Sequence, residues 1–428
     1  MFKIIRDTWR GLKDEKRLRV ILYLFLFTTL SGAIRKWGVD SKLLSNALLG
    51  IQLIIPLCFL FFKNAFHFDY KQRNIFVILL TYIFILLLLA ANPLGATLGH
   101  GILGIIVHLG FWLPMFIYVK DPEAFKLEKL IPLLIILCFA QVILGSIQST
   151  LPTDAWLNRY AVTEGDGFAD ALVGDSVRVS GTFSYISGYG SFMLFYTLLV
   201  CVLIKIRYQP FILIPFILIG YYGCLISGSR GTVYSYLIII GMYVVTSVNI
   251  KANSKLIGGA LLVILVGGFF NFILQDPLNI YEKFAKSSDN FEERTEGAGD
   301  NTKGRVTGAV DELLYLNFEH DIIGVGLGST YQGANALFGY NPNLKGQGFE
   351  TEFKRVVLEG GYILLILRFI MFFYLMRFLK GSFFFKLTII ALSLFVFSII
   401  YNTYNAFFFM LGIALIDRVS RLESTKDL

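Results

Sequence analysis

The chain has 428 residues, 56% of them hydrophobic and only 16% charged, with a mean hydropathy of +0.67. Soluble domains run at about 45–50% apolar and about 25% charged residues, which argues against a soluble enzyme. Lys and Arg (38) outnumber Asp and Glu (30), an excess that a membrane protein collects at one face, so it does not imply a nucleic-acid partner.

A membrane-crossing helix needs about 20 mostly apolar residues. Twelve segments fit in chain order: 20–34, 43–62, 75–91, 101–119, 130–149, 189–206, 211–226, 231–248, 256–274, 356–376, 387–402 and 404–417. The first is preceded by a basic stretch and followed by Arg35-Lys36 with no small-residue cleavage site, so it reads as a span and not as a cleaved signal peptide. If the amino-terminus is cytoplasmic and the sides alternate, inside segments hold 23 cations against 10 acids and outside segments 14 against 19. That asymmetry places both termini inside. The expected fold is an all-α polytopic bundle, residues 1–428 forming one integral-membrane domain. Two extracytoplasmic loops interrupt it, a smaller one at 150–188 and a larger one at 275–355 between the ninth and tenth helices. Within the larger, 277–304 reads as polar and mobile and 305–318 as an amphipathic helix.

The cysteines (Cys58, Cys138, Cys201, Cys224) lie inside apolar runs with neither metal-ligand nor disulfide spacing, and the four histidines are scattered. No metal or cofactor is expected. Chemistry is sought instead among charges on the outer face. Ser227-Gly228-Ser229-Arg230-Gly231 joins the seventh and eighth spans. An arginine there is costly without a partner, glycine admits close backbone approach, and the new helix offers free N–H groups. Together these suit a phosphate, although a tight turn with a snorkelling arginine fits equally well. Arg178 precedes the sixth span and Arg305 opens the amphipathic segment. Each reads alone as a partner for local acids, while Arg35 and Lys36 read as interfacial anchors or outer-face support beside Trp37.

Gly324-Val-Gly326-Leu-Gly328 lacks the following Lys-Ser/Thr of a nucleotide loop and reads as a loop held open for a ligand or as a plain reversal. Glu350, Glu352 and Glu359 lead into the tenth span. Glu359 lies about one turn inside the apolar run, which makes it a candidate for function or outer-face support, with Arg355 four residues earlier as the plain structural partner, and Arg368 lies mid-span. A carboxylate at this entrance can act as a general base.

The order, spacing and shared sidedness of these motifs resemble the O-antigen ligase and Wzy polymerase superfamily of membrane glycosyltransferases. The resemblance rests on 227–231, Arg178-x-x-Gly181-Thr-Phe183, Arg305 followed by 324–328, Glu359-Gly360-Gly361, and the Ser-Gly-Ala-Ile-Arg-Lys-Trp stretch at 31–37. It implies a metal-independent, inverting, type C enzyme in the bacterial plasma membrane. Such an enzyme uses a glycan on undecaprenyl pyrophosphate as donor, and Arg230, Arg305 and Arg178 would bind the pyrophosphate. Ligases of that group carry a histidine about nine residues before the Glu-x-Gly, where this chain has Glu350. The departure favours a polymerase, which joins repeat units, with Glu350 or Glu352 activating the acceptor. Its partners would be lipid-linked donor and acceptor, membrane lipid, and the chain-length regulator and flippase of the same pathway. A ligase acting on lipid A core or protein, and a lipid-linked oligosaccharide flippase, are the alternatives.

Overall fold

The computed structural model describes residues 15–39, 41–62, 73–161, 172–173, 176–247, 285–290, 318–347, 351–396 and 398–426. Twelve α-helices are set out over these residues: α1 (Lys16–Ala33), α2 (Lys42–Ile54), α3 (Arg73–Ala90), α4 (Leu98–Lys120), α5 (Ile131–Thr150), α6 (Ile186–Lys205), α7 (Pro210–Ile226), α8 (Arg230–Ser247), the short α9 (Gln332–Phe338), α10 (Glu352–Phe378), α11 (Phe383–Phe395) and α12 (Thr403–Lys426). The only strand pairing among the described residues is a two-residue antiparallel ladder, Leu172 with Val177 and Val173 with Ser176.

Seven of the helical segments are long and apolar enough to cross a membrane, and α7, α8 and α11 add shorter apolar helices. The chain is thus an all-helical membrane protein by length and composition. The expected ninth span (256–274), the amphipathic segment up to residue 317, Arg305 and Glu350 lie outside the described residues.

Most of these helices are hydrophobic all round, because one face meets protein and the other lipid. α6 is buried along nearly its whole length. It packs through Phe192 and Phe195 against Phe25 of α1 and Phe408 of α12, with ring centroids 5.2–6.3 Å apart. Peripheral residues such as Leu43, Phe61, Phe84 and Phe211 are exposed, as a lipid-facing surface requires.

Polar contacts sort the helix ends into two groups. At one end, Lys126 and Lys129 reach Glu15 at 2.6 and 3.0 Å, Arg17 reaches Asp121 at 3.1 Å, and Arg418 reaches Glu128 at 2.9 Å. The hydrogen bond from Lys126 leads in holding the Glu15 carboxyl below its ordinary pKa. At the other end lie Arg35, Arg178, the start of α8 and the start of α10.

Residues 176–185 and much of 318–347, expected as outside loops, are built into the bundle. Val177, Val179 and Phe183 are buried, and so are Val325, Leu327 and Leu344. The reason is a break in α10 at Gly361, whose φ of 64° and ψ of −171° are open to glycine alone. An unbroken helix would pair the 362 and 363 amides with the 358 and 359 carbonyls. Here Tyr362 N–H donates to Asp321 O at 2.8 Å and Ile363 N–H to Ile322 O at 3.4 Å. Val325 N–H donates to Leu358 O at 2.8 Å and Gly326 N–H to Glu359 O at 3.0 Å. The segment 321–326 therefore substitutes for one helical turn. A Cβ on Gly324 would lie 2.3 Å from the Glu359 carbonyl carbon, so the glycine string is neither an open loop nor a plain reversal but backbone docked in a helix break.

Gly361→Ala would place its Cβ 1.9 Å from Ile322 O. It should destabilise the protein by about 3 kcal/mol or more, read as a lowered thermal midpoint of detergent-purified protein. Gly241→Ala, with nothing within 4 Å of the new methyl, should be neutral or gain about 0.5 kcal/mol.

Candidate functional site

The end of the bundle that carries Arg178 holds a cavity of 460 Å³ between α6, α8 and the α11–α12 turn. Its lining includes Arg178, Tyr185, Ser187, Ser191, Ser229, Gly231, Thr232, Ser235, Ser398, Asn402 and Asn405. Ser229 caps α8, its hydroxyl accepting from Thr232 N–H at 3.4 Å. Arg230 opens α8 and is 8% exposed, between the two lining residues Ser229 and Gly231. Arg178 Nε lies 3.5 Å from Ser227 O, which ties the stretch before α6 to the α7–α8 junction. Burial draws the Arg178 pKa below its ordinary value, partly offset by Tyr160 and Tyr185. The cavity thus combines a half-buried cation, a helix amino-terminus and a row of hydroxyls, a set that accepts an anion.

Arg35 and Lys36 lie one layer behind. α1 ends in a π-helical turn, Ile34–Gly38, which turns two consecutive cations inward. Arg35 donates to Ser45 at 3.1 Å and Ser184 at 2.7 Å, and Lys36 donates to Ser180 at 2.9 Å and Gly181 O at 2.6 Å. Both brace the 180–184 segment that follows Arg178. Arg35 and Lys36 are about 5% exposed, so neither is a simple interfacial anchor, although Lys36 also covers the Trp37 ring at 4.5 Å.

The two described carboxylates have separate surroundings. Glu352 forms an ion pair with Arg368, which answers what the mid-span arginine pairs with. Glu352 also accepts from Ser398 Oγ and from Ile400 N–H at 3.0 Å. It reaches the cavity wall only through Ser398. Glu359 is fully buried, and its partners are not the expected Arg355. Its Oε1 accepts from Thr330 N–H at 2.8 Å and Thr330 Oγ1 at 2.7 Å. Its Oε2 accepts from Tyr401 at 3.2 Å and faces His108 Nε2 at 3.4 Å. His108 Nδ1 lies 3.2 Å from the Tyr82 hydroxyl, so the Nε2–H tautomer satisfies every member. Arg355 instead donates to Thr330 O at 3.2 Å and lies over the Tyr401 ring. Helix breakage explains the difference: α10 presents Glu359 to the docked 324–330 segment and to α4, not back along its own face.

His108, Tyr82, Thr330, Tyr401, Ser398, Asn402 and Asn405 were not singled out from sequence. A histidine in the middle of an apolar span was the available signal, and so was the polar run Asn402-Thr-Tyr-Asn405 between two spans. Among the described residues no three His, Cys, Asp or Glu side chains gather as a metal would require. No family model, no curated protein and no solved structure matches the chain.

Glu352→Gln leaves Arg368 as an uncompensated buried charge and should cost about 3–5 kcal/mol, measured by thermal unfolding in detergent. Replacing both Glu352 and Arg368 by Met should recover at least half of that loss, because an apolar pair leaves no buried charge unmatched.

Proposed function

We propose that the chain is a bacterial polysaccharide polymerase, an inverting, metal-independent glycosyltransferase of the plasma membrane. It moves a glycan from undecaprenyl pyrophosphate to the next lipid-linked repeat unit at the outer leaflet. The observation that carries this reading is the Arg178 cavity at the amino-terminus of α8, which Ser229 and Gly231 line on either side of Arg230 in the sequence, Arg230 itself not being a lining residue. A departing pyrophosphate develops charge, and oriented cations and helix amides lower the barrier by meeting it. The cation count along the sequence supports a reading with this end of the bundle outside the cell, twelve spans and both termini cytoplasmic.

In this reading Arg178, Arg230 and Arg305 hold the pyrophosphate, while Arg35 and Lys36 fix the segment that carries Arg178. A hydroxyl of the acceptor attacks the anomeric carbon and displaces the lipid pyrophosphate, its proton passing to a carboxylate. Glu350 is the candidate for that proton. Glu352, held by Arg368, shapes the cavity wall through Ser398. The flippase alternative expects paired polar sites at the bilayer midplane. The ligase alternative has one observation in its favour: His108 meets Glu359, although not from the position where ligases carry their histidine. His108 does not line the cavity, and the polymerase reading stands ahead of it.

A deletion strain complemented with Arg230→Ala or Arg178→Ala should make no surface polymer, while the variant protein still inserts at wild-type abundance. Single repeat units on the final acceptor after deletion mark a polymerase. Long polymer stranded on its lipid carrier would mark a ligase instead. Wild-type ladders from the Arg230→Ala strain would overturn the reading.

A further inference from the structure

We propose that the turn between α10 and α11 carries a binding site for an anionic phospholipid, at the end of the bundle opposite the Arg178 cavity. The proposal is independent of the glycosyl-transfer reading. It takes only the leaflet from the topology proposed above, and that leaflet is the cytoplasmic one.

The site is a cavity of 270 Å³ between the last turns of α10 and the first turns of α11. Phe373 of α10 and Leu387 and Ile390 of α11 give it an apolar wall, and Arg377 of α10 and Lys386 of α11 add two cations. Phe373 and Ile390 each stand four residues deeper along their helix than the cation, about 6 Å at about 1.5 Å per residue. Charge at the helix ends and hydrocarbon one turn below is the order of a phospholipid head and tail. The groove can be reached from the bilayer, for Phe373 is 49% exposed, Leu387 is 40% exposed and Arg377 is exposed as well.

Cations at a cytoplasmic face follow the general sidedness bias, but these two share one cavity and lack an acid. Lys386 reaches back over Gly381 and donates to Met376 O at 2.8 Å and to Leu379 O. It caps α10 with two of the three protons of its ammonium, and the third is left for a ligand. Among the described residues no carboxylate lies within ion-pair distance of Arg377 or Lys386. The nearby acid, Asp417, already accepts from Lys380 N–H, the Tyr118 hydroxyl and Arg421 Nε. The sequence of the connection after α8 supplies none either, since 248–275 holds Lys251 and Lys255 and no acid. A zwitterionic headgroup would bring a further cation to this pair. A headgroup of net negative charge matches it, the phosphate taking the Arg377 fork and the Lys386 ammonium. A soluble phosphate would meet the cations but gain nothing from Phe373, Leu387 and Ile390.

The test reads bound lipid by native mass spectrometry of the full chain in detergent. It offers equal amounts of dioleoyl phosphatidylglycerol and dioleoyl phosphatidylcholine, which differ in the headgroup alone. Wild type should retain one phosphatidylglycerol with a preference of about tenfold. Arg377→Gln should cut that preference about fivefold, the effect of one cation near a headgroup. Leu387→Trp fills the groove, keeps every charge, and should lower retention of both lipids with an unchanged thermal midpoint. Arg73→Gln, which removes an exposed cation outside the cavity, should leave the preference unchanged. An equal loss in Arg73→Gln and Arg377→Gln would mean diffuse attraction and overturn the proposal. Displacement of the lipid by millimolar inorganic phosphate would make the site one for a soluble anion and overturn it too. A dimer that Leu387→Trp dissociates, with no preference between the lipids, would put a second copy of the chain in the groove, again against the proposal.

Discussion

Inside a membrane, water is not there to complete an unfinished hydrogen bond, so each exposed backbone group must find a protein partner. The break in α10 creates four such groups at once, and the 321–326 backbone matches all four. This exchange decides where the described stretch ahead of α10 can lie. It draws 324–331 into the bundle and requires glycine where two backbones meet. Glu359 then secures the arrangement, since its carboxylate holds the far end of the docked segment through Thr330. A charge that would be costly alone is surrounded by four donors from three parts of the chain.

α10 also links this dock to the cavity. Seven residues before Glu359, Glu352 holds the turn between α11 and α12 through Ser398 and the Ile400 amide. The first part of α10, ahead of its break, therefore fixes both the position of the 324–330 segment and one wall of the site. Opposite it, Arg35 and Lys36 fix the 180–184 segment and hence Arg178. The cavity is framed by buried charges that do not themselves line it. This arrangement gives a rigid surround to a site in which Arg178 is the one charged lining residue among those described.

Much of the helical framework was legible in the sequence, because a run of about 20 apolar residues has few other folded outcomes. Eleven of the twelve expected segments coincide with described helices, to within a few residues at most ends. The sequence placed Arg178 and the Ser227–Gly231 stretch on one membrane face, but their contact is a finding of the structure, since Arg178 alone reads as a partner for local acids. Long-range pairing was not. Glu359 with Arg355 is the pair that i, i+4 spacing favours, but the break in α10 hands the carboxylate to His108, Thr330 and Tyr401, which stand 251, 29 and 42 residues away. The glycines at 324, 326 and 328 signalled unusual backbone, but the partners that made them necessary lie far along the chain: Glu359 of α10 for Gly324, Gly95 for Gly326 and His100 of α4 for Gly328. The connections at 150–188 and 275–355 read as loops because their residues are polar. Phe183 and Val325 became core because the backbone beside them is hydrogen-bonded into the bundle.

The contrast between the two polar regions is what separates scaffold from site. Glu359 has the strongest sequence signal in the chain, an acid within an apolar span, and yet both of its oxygens are matched by protein donors. Its surroundings leave it nothing to offer a ligand except through rearrangement. Ser235 and Asn405 have almost no sequence signal, being neutral residues among many, yet each keeps a buried atom unmatched beside a cavity. An unmatched hydroxyl or amide oxygen costs about 1–3 kcal/mol, little enough for a fold to carry. An unmatched carboxylate would cost several times more, so burying a carboxylate suits a lock better than a receptor.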